Sequence, residues 1–489
     1  MLFPQVERGR LVQQLEHAKT YAEWSHAAQR LDELDGNAPL RLKHTREDGE
    51  YDKAMIEEMI RGMKTNLRSN NTENLCRIVE VCCIRNFAGT LNPSLYSFLY
   101  FGTKQKIEEF YLLLEECITR IANFDDTRLN KEEVERRKKI LLHIRSKLGN
   151  SALLLSGGAS LGMLHIGVTK GLLENSLLPM ILHGTSAGSI IAAIIGVKSD
   201  NEIEDTLKLT NLELGAFEEY DAGENSFFQR AIKRLRRFVA TGAIYDSETI
   251  VKCMRHNLGD VTFREAFERT GRILNIAVRS LSGYEMPKML NHVTAPDVVV
   301  WSAVVASCAI PKIFSSAVIL AKCRTTQRLI PWHSTFHENI DGSMENDLPV
   351  RSLTEMLNVN FFIVSQVNIH IAPFLFNDLK MNWKQRMAKR SLQFIKKELL
   401  FRIRQMENLG LSPRWLSLFY KILSQQYHGD VTIVPKFLMN DYFSLFTNPS
   451  PSFVRDCVAR GEKALWPNLV LIKNAIRIEK LLDQVIRSF

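Results

Sequence analysis

Eight cysteines are present in 489 residues, yet none forms a C-x-x-C pair and none stands at ligand spacing from a histidine. Cys76, Cys82, Cys83, Cys117, Cys253, Cys308, Cys323 and Cys457 are scattered through the chain, which argues against both a metal site and a disulfide framework. An apolar core segment of the kind a secretory leader needs is missing from Met1 to Thr20, so export through a cleaved signal is not expected. Both absences fit a reducing, intracellular compartment. Low-complexity tracts are missing too, and with 45% hydrophobic residues the chain can bury one large core with one or two attachments. Two apolar stretches, Leu177 to Val197 and Val298 to Leu320, are about as long as a bilayer requires. The first contains a glycine-bounded serine turn and the second is broken by Pro311-Lys312, so both are read as buried elements of a sheet protein.

Charge is abundant but unevenly placed. Of the net +9, most arises between Lys380 and Arg404, where Lys380, Lys384, Arg386, Lys389, Arg390, Lys396, Lys397, Arg402 and Arg404 face Glu398 alone. A second basic run, Arg230, Lys233, Arg234, Arg236 and Arg237, alternates with Phe228, Ile232, Leu235 and Val239 at helical spacing. Segments 228–239 and 380–404 are therefore candidates for an anionic lipid surface, the alternative being a solvated helix face packed on the core. Nucleic acid is not an expected partner, because no recognition motif accompanies the charge.

The pattern of apolar residues divides the chain into three. Residues 1–150 read as helical, with apolar spacing in Met55, Ile56, Met59, Ile60 and Met63 and again in Ile107, Phe110, Tyr111 and Leu114. Residues 151–375 alternate strand and helix, which predicts an α/β core with a largely parallel sheet. Residues 376–489 return to helical patterns and carry the main basic segment.

The most informative stretch is Gly184-Thr185-Ser186-Ala187-Gly188, set between an apolar strand (Met180 to His183) and an apolar helix (Ser189 to Ile195). In a G-x-S-x-G elbow the glycines permit a close approach that a Cβ would block, and the helix N-terminus beneath favours developing negative charge. Five positions alone are a weak signal. A second glycine cluster raises it: Ser156-Gly157-Gly158-Ala159-Ser160-Leu161-Gly162 also lies between a strand (Ala152 to Leu155) and a helix (Met163 to Glu174). Its backbone N–H groups can converge on one anion, as the tetrahedral intermediate of acyl transfer requires. A nucleotide loop fits less well, because Ala159 stands where G-x-G-x-x-G needs glycine and no lysine follows Gly162. Downstream, Asp341-Gly342-Ser343 is by itself a turn signal. The serine still needs a base, and His165, His183, His333, His337 and His370 all stand near candidate loops.

The order of glycine loop, G-x-S-x-G and Asp-Gly resembles the patatin-like acyl hydrolases, which use a Ser-Asp dyad without histidine. The resemblance extends to the storage-lipid triacylglycerol lipases of plants and fungi and their bacterial relatives, in which a helical domain precedes the patatin core. It is carried also by Thr20 to Trp24 with Leu31-Asp32, by Asn92 to Tyr96 with Phe101 to Lys104, and by Ser307-Cys308-Ala309-Ile310-Pro311 with Phe314. In the last third it is carried by Ser365 to Asn368, Gly429 to Thr432 and Gly461-Glu462-Lys463. The resemblance implies a three-layer α/β fold, Ser186 as nucleophile and Asp341 as proton acceptor. It further implies the backbone of Gly157, Gly158 and Ala159 as oxyanion hole, with Gly162, Gly184, Gly188 and Gly342 as motif glycines. Ala159 replaces a loop glycine and Leu161 a basic residue found in many patatins, while Ser343 and Ile369 are further departures. The implied activity is hydrolysis of carboxylic esters of glycerolipids, triacylglycerol before phospholipid or lysophospholipid, at a membrane or lipid-droplet surface and with no cofactor. Two alternatives remain. Acyl transfer to another acceptor would match the H-x-x-x-x-D pattern at His292 and Asp297, although Thr294 to Asp297 also reads as the start of the following helix. A catalytically silent lipid-binding protein is the other, and it would have no use for an intact serine elbow.

Overall fold

In the computed structural model, residues 2–42, 51–123, 131–207, 247–278, 288–309, 318–332, 349–368, 383–409, 428–445 and 448–488 are described. The strands are β1 (Asn150–Leu155), β2 (Ile181–Gly184), β3 (Ile273–Val278), β4 (Lys288–Leu290), β5 (Leu320–Lys322), β6 (Leu329–Pro331), β7 (Val359–Ser365) and β8 (Val431–Ile433). Among these residues a six-stranded sheet runs in the order β4-β3-β2-β1-β7-β8. Every pairing is parallel except the one between β3 and β4, so only one edge strand departs from a parallel sheet. Strands buried on both faces need apolar residues at consecutive positions, and Ala152, Leu153, Leu154 and Leu155 of β1 are all fully buried. Leu153 and Leu155 join the main core together with Ile191 and Val304, whereas Ala152 and Leu154 pack on the other face with Leu353 of the helix Val350–Leu357. Helices cover both faces, which gives the α/β/α layering.

The N-terminal region is helical, and its helices Lys53–Arg68, Thr72–Cys82 and Gln105–Ile121 bury one apolar face each, including Ile56, Ile60, Leu75, Val79, Phe110 and Leu114. It is tied to the sheet by a buried ionic knot. Arg85 pairs with Glu479 of the helix Leu469–Arg487 at 2.8 Å, while the other Glu479 oxygen accepts the backbone N–H of Ser151 in β1 at 3.1 Å. A pair this well buried is weak evidence for net stability, but removing one partner would strand a charge. The central strand therefore enters the core at a position set by residues from both ends of the chain.

The C-terminal region is not wholly helical: it supplies β8, which pairs with β7 from Ile363↔Val431 to Ser365↔Ile433. Its helix Pro451–Leu465 lies directly on the helix Leu164–Glu174. Contact this close requires glycine on both sides, since a Cβ on Gly167 would sit 2.0 Å from the Val458 carbonyl oxygen and one on Gly461 would sit 2.2 Å from that of Leu164. Among the described residues no helix is long and apolar enough to cross a membrane.

Two helix starts differ from the sequence expectation. The helix expected from Met163 begins as a tighter 3-10 turn, Ala159–Met163, before the α-helix Leu164–Glu174. Thr294 to Asp297 does not open a helix; the helix starts at Val300 and runs to Cys308. Asn291 explains the delay, because its side-chain oxygen accepts from the N–H groups of Val293 and Thr294, both at 2.9 Å, and closes a local turn there.

Candidate active site

β1 and β2 are parallel neighbours, so the loops leaving their carboxyl ends lie side by side. That edge is where open α/β sheets bind ligands. β1 leads into Ser156-Gly157-Gly158 and the turn Ala159–Met163. β2 leads through Thr185 to Ser186 and the helix Ala187–Val197.

Ser186 has φ 52° and ψ −125°, a conformation that L-residues avoid. Such strain costs about 1–3 kcal/mol and persists only when neighbours over-determine it. Here the neighbours are specific. The Ser186 carbonyl accepts from the Ser189 N–H at 2.8 Å and from the Ser189 hydroxyl at 2.6 Å. The Ser186 N–H donates to Ser307 Oγ at 2.9 Å. Thr185 N–H donates to the Leu155 carbonyl at 3.2 Å, joining the elbow to β1. Both motif glycines are needed by space: a Cβ on Gly184 would meet the Gly188 oxygen at 2.5 Å, and one on Gly188 would meet the Leu155 oxygen at 2.2 Å. Any side chain at either position would lift the helix off the strands.

The glycine loop abuts the serine. A Cβ on Gly157 would lie 3.5 Å from Ser186 Cβ, an ordinary contact, while one on Gly158 would collide with Val367 Cγ2 at 2.6 Å. Ala159 has φ 50°, so the residue that replaces a glycine keeps glycine's conformation at a cost of about 1–2 kcal/mol. Ser160 fastens the far end, its N–H and its hydroxyl both donating to the Leu445 carbonyl, at 3.1 and 2.9 Å. Ser156 fastens the near end, its Oγ accepting the Val367 N–H at 2.9 Å. The result is a rigid backbone of candidate N–H donors beside a strained serine, the arrangement that stabilises a tetrahedral oxyanion in acyl transfer.

Among the described residues, the histidines near these loops are engaged elsewhere. His165 is fully buried between the ends of β1 and β7, with Nε2 donating to the Ser156 carbonyl at 2.9 Å and Nδ1 accepting from the Ser365 hydroxyl at 2.7 Å. Burial pushes its pKa down to about 4, against the opposing pull of the Ser156 carbonyl. A neutral ring with both nitrogens engaged is a brace for the glycine loop. Because the unfolded chain binds a proton near pH 6.5 that the native ring refuses until about pH 4, this histidine's contribution is complete above pH 6.5 and is lost on acidification toward pH 4. Between pH 7.5 and pH 5 the loss should be on the order of 2 kcal/mol, and urea midpoints of wild type and His165→Asn check it. An identical pH slope in the two proteins would refute this assignment. His183 is buried in β2, its Nε2 3.2 Å from Thr185 Oγ1. His292 stacks on Phe267 with centroids 4.1 Å apart, while Asp297 pairs with Arg264 at 3.2 Å and Arg324 at 2.9 Å. The H-x-x-x-x-D residues are thus engaged by separate partners.

Cys308 is buried at the end of the helix Val300–Cys308. Burial pushes its thiol up to about 12, so it stays protonated at neutral pH and does not compete as a nucleophile. No group of three or more His, Cys, Asp or Glu residues able to hold a metal occurs among the described residues. Asp341 and Gly342, with His333, His337, His370 and segment 228–239, lie outside the described residues. Sequence reasoning did not single out Ser189, Ser307 or the Ser160 to Leu445 link. Ser307 stands inside a segment that carried the resemblance, but no spacing rule connects it to Ser186.

Residues 3–145 match the family model described as a domain of unknown function, DUF3336, and residues 153–354 match that of the patatin-like phospholipases. Triacylglycerol lipase ptl3 of Schizosaccharomyces pombe is 34% identical over 471 residues, covering 96% of this chain and 95% of that protein. Triacylglycerol lipase 4 of Saccharomyces cerevisiae is 35% identical over 491 residues, covering 97% of this chain but 52% of that protein, so the chain spans about half the length of that relative. Among solved structures, VipD from Legionella pneumophila aligns over 69% of this chain and 67% of its own at 14% identity, with a TM-score of 0.30. With two family models in tandem and a relative matched from end to end, the chain belongs to the patatin-like acyl hydrolases, in the branch that carries a helical N-terminal domain before the patatin core.

Proposed function

We propose that this protein is a serine lipase that hydrolyses carboxylic esters of glycerolipids, triacylglycerol above all, through an acyl-enzyme on Ser186. The observation that carries the reading is the strained Ser186 held against the Gly157-Gly158-Ala159 loop at the carboxyl edge of the sheet. The names borne by relatives that match over nearly the whole chain support the substrate. Ser186 Oγ attacks the ester carbonyl carbon while Asp341 takes its proton, and the carbonyl oxygen becomes an oxyanion facing the N–H groups of Gly157, Gly158 and Ala159. Collapse breaks the bond to the glycerol oxygen, which leaves as the alcohol with the proton from Asp341. Water, deprotonated by Asp341, then attacks the acyl carbon, and the bond to Ser186 Oγ breaks as Asp341 returns the proton to that oxygen and the fatty acid is released. No step calls for a cofactor. The catalytic unit spans residues 151–375, with residues 1–150 as helical domain and 376–489 as basic C-terminal region. Transfer of the acyl group to an alcohol would share the first half of this cycle, but the separate engagements of His292 and Asp297 give it no support.

A water-insoluble substrate has to be reached at a surface. Segment 380–404 is the better described candidate: on the helix Trp383–Asn408, Phe394 is 69% and Phe401 55% exposed, and Lys397, Arg402 and Arg404 are exposed beside them. Apolar side chains that insert and cations worth about 1 kcal/mol each near an anionic leaflet give reversible docking. Segment 228–239 carries the same alternation in sequence. One assay series tests reaction and docking together. Wild type should release fatty acid from emulsified triacylglycerol and take up a fluorophosphonate on Ser186, and its binding to anionic vesicles should weaken steeply with salt. Lys397→Glu with Arg404→Glu should depress hydrolysis of the emulsion about tenfold or more while sparing a soluble short-chain ester. Equal losses on both substrates, or vesicle binding indifferent to salt and charge, would overturn the docking assignment; unlabelled Ser186 would overturn the reaction.

A further inference from the structure

Both polar groups of the Ser186 backbone end on serine hydroxyls, one local and one remote in sequence. The carbonyl is held by Ser189 one turn along the same helix. The N–H is held by Ser307, a residue 121 positions away, whose Oγ accepts it at 2.9 Å and in turn donates to the Ala277 carbonyl at 2.7 Å. Ala277 is next to the last residue of β3, the strand paired to β2. Ser307 sits in the last turn of the helix Val300–Cys308, in which Val300, Trp301, Ser302, Ala303, Val304, Val305 and Cys308 are buried. The contact therefore does not run between mobile surface groups. It links β3, a buried helix and the elbow in one line, at a residue whose φ of 52° and ψ of −125° L-residues avoid.

A single hydroxyl oxygen performs this double duty, accepting from an N–H and donating to a carbonyl at once, and neither alanine nor valine can. Removing it leaves the Ser186 N–H, at the very start of a helix, without the partner that fixes its direction. The side chain of Ser186 would then be free to leave the one orientation in which its oxygen addresses the ester. Misplacement of a reacting atom by about 1 Å costs on the order of a hundredfold in rate.

We propose that Ser307 is a positioning residue for the reaction, locking the backbone of Ser186 into its strained conformation without touching substrate. The proposal rests on Ser186 being the nucleophile. Its test uses the full chain, a soluble p-nitrophenyl ester and a fluorophosphonate, with thermal unfolding as control. Ser307→Ala should lower kcat and the rate of fluorophosphonate inactivation together, by about 10- to 100-fold, with KM within about twofold of wild type. Ser307→Thr, which keeps the hydroxyl, should recover most of both, and Ser307→Val, of the same shape as threonine, should not. If the alanine variant fails to fold, the threonine and valine pair still decides, since they differ by one hydroxyl. Wild-type inactivation rates in Ser307→Ala, or equal rates in the threonine and valine variants, would overturn the proposal. Label found on a residue other than Ser186 in the wild-type protein would overturn the nucleophile assignment itself, an outcome that peptide mapping reads separately from any comparison of variants.

Discussion

Ser186→Ala is expected to lower ester hydrolysis by more than about a thousandfold while leaving the protein folded, because removal of an activated nucleophile leaves only what binding and the oxyanion donors can do. The stability side of this expectation follows from the geometry. Alanine at φ 52° bears the same backbone strain as serine, and the backbone bonds to Ser189 and Ser307 do not involve the lost hydroxyl. What goes is one half-buried hydroxyl, worth on the order of 1 kcal/mol at most. Fatty-acid release from emulsified triacylglycerol, fluorophosphonate labelling and a thermal melt measured on one preparation check all three parts. Retained hydrolysis in a well-folded alanine variant would remove Ser186 from the mechanism.

Asp341→Asn should be nearly as damaging, by a factor of about 10² to 10⁴, the range expected when a positioned base is lost. Asparagine matches the size of the carboxylate but cannot take the proton, so the comparison isolates that function. Asp341 lies outside the described residues, and its assignment stands on the resemblance. The described site nevertheless narrows the field, since His165 has both ring nitrogens engaged and is held neutral by burial. Alanine at His333, His337 or His370 should accordingly reduce kcat only modestly. A histidine variant as inactive as Ser186→Ala would replace the dyad with a histidine-based mechanism.

Some of this was legible before any coordinates because the signals are local. The elbow needs glycine at 184 and 188 for reasons of space alone, and the distances of 2.5 and 2.2 Å to neighbouring backbone oxygens state that reason in the fold. The apolar run Ala152 to Leu155 is legible as a strand, and the fold buries all four of its residues. Other features were invisible because they join distant parts of the chain. Thr294 to Asp297 has the pattern of a helix start, but the Asn291 side chain captures the Val293 and Thr294 N–H groups first. Residues 431–433 are too short a strand for periodicity to mark, and they join the sheet because β7 offers them an open edge.

The amino-acid sequence by itself determined the class of fold and the family, since glycines at a strand-to-helix turn and ordered motifs leave their mark in consecutive residues, and the resemblance it carries names Ser186, Gly157, Gly158, Ala159 and Asp341 as the candidate machinery. The tertiary structure decided what holds that machinery in place. Ser307 reaches Ser186 across 121 residues, Leu445 fixes Ser160 across 285, and His165 braces Ser156 against Ser365 across 200. Such partners are selected by direction and burial in the folded chain, where a hydroxyl or imidazole meets a polar group brought beside it, and a linear pattern records neither.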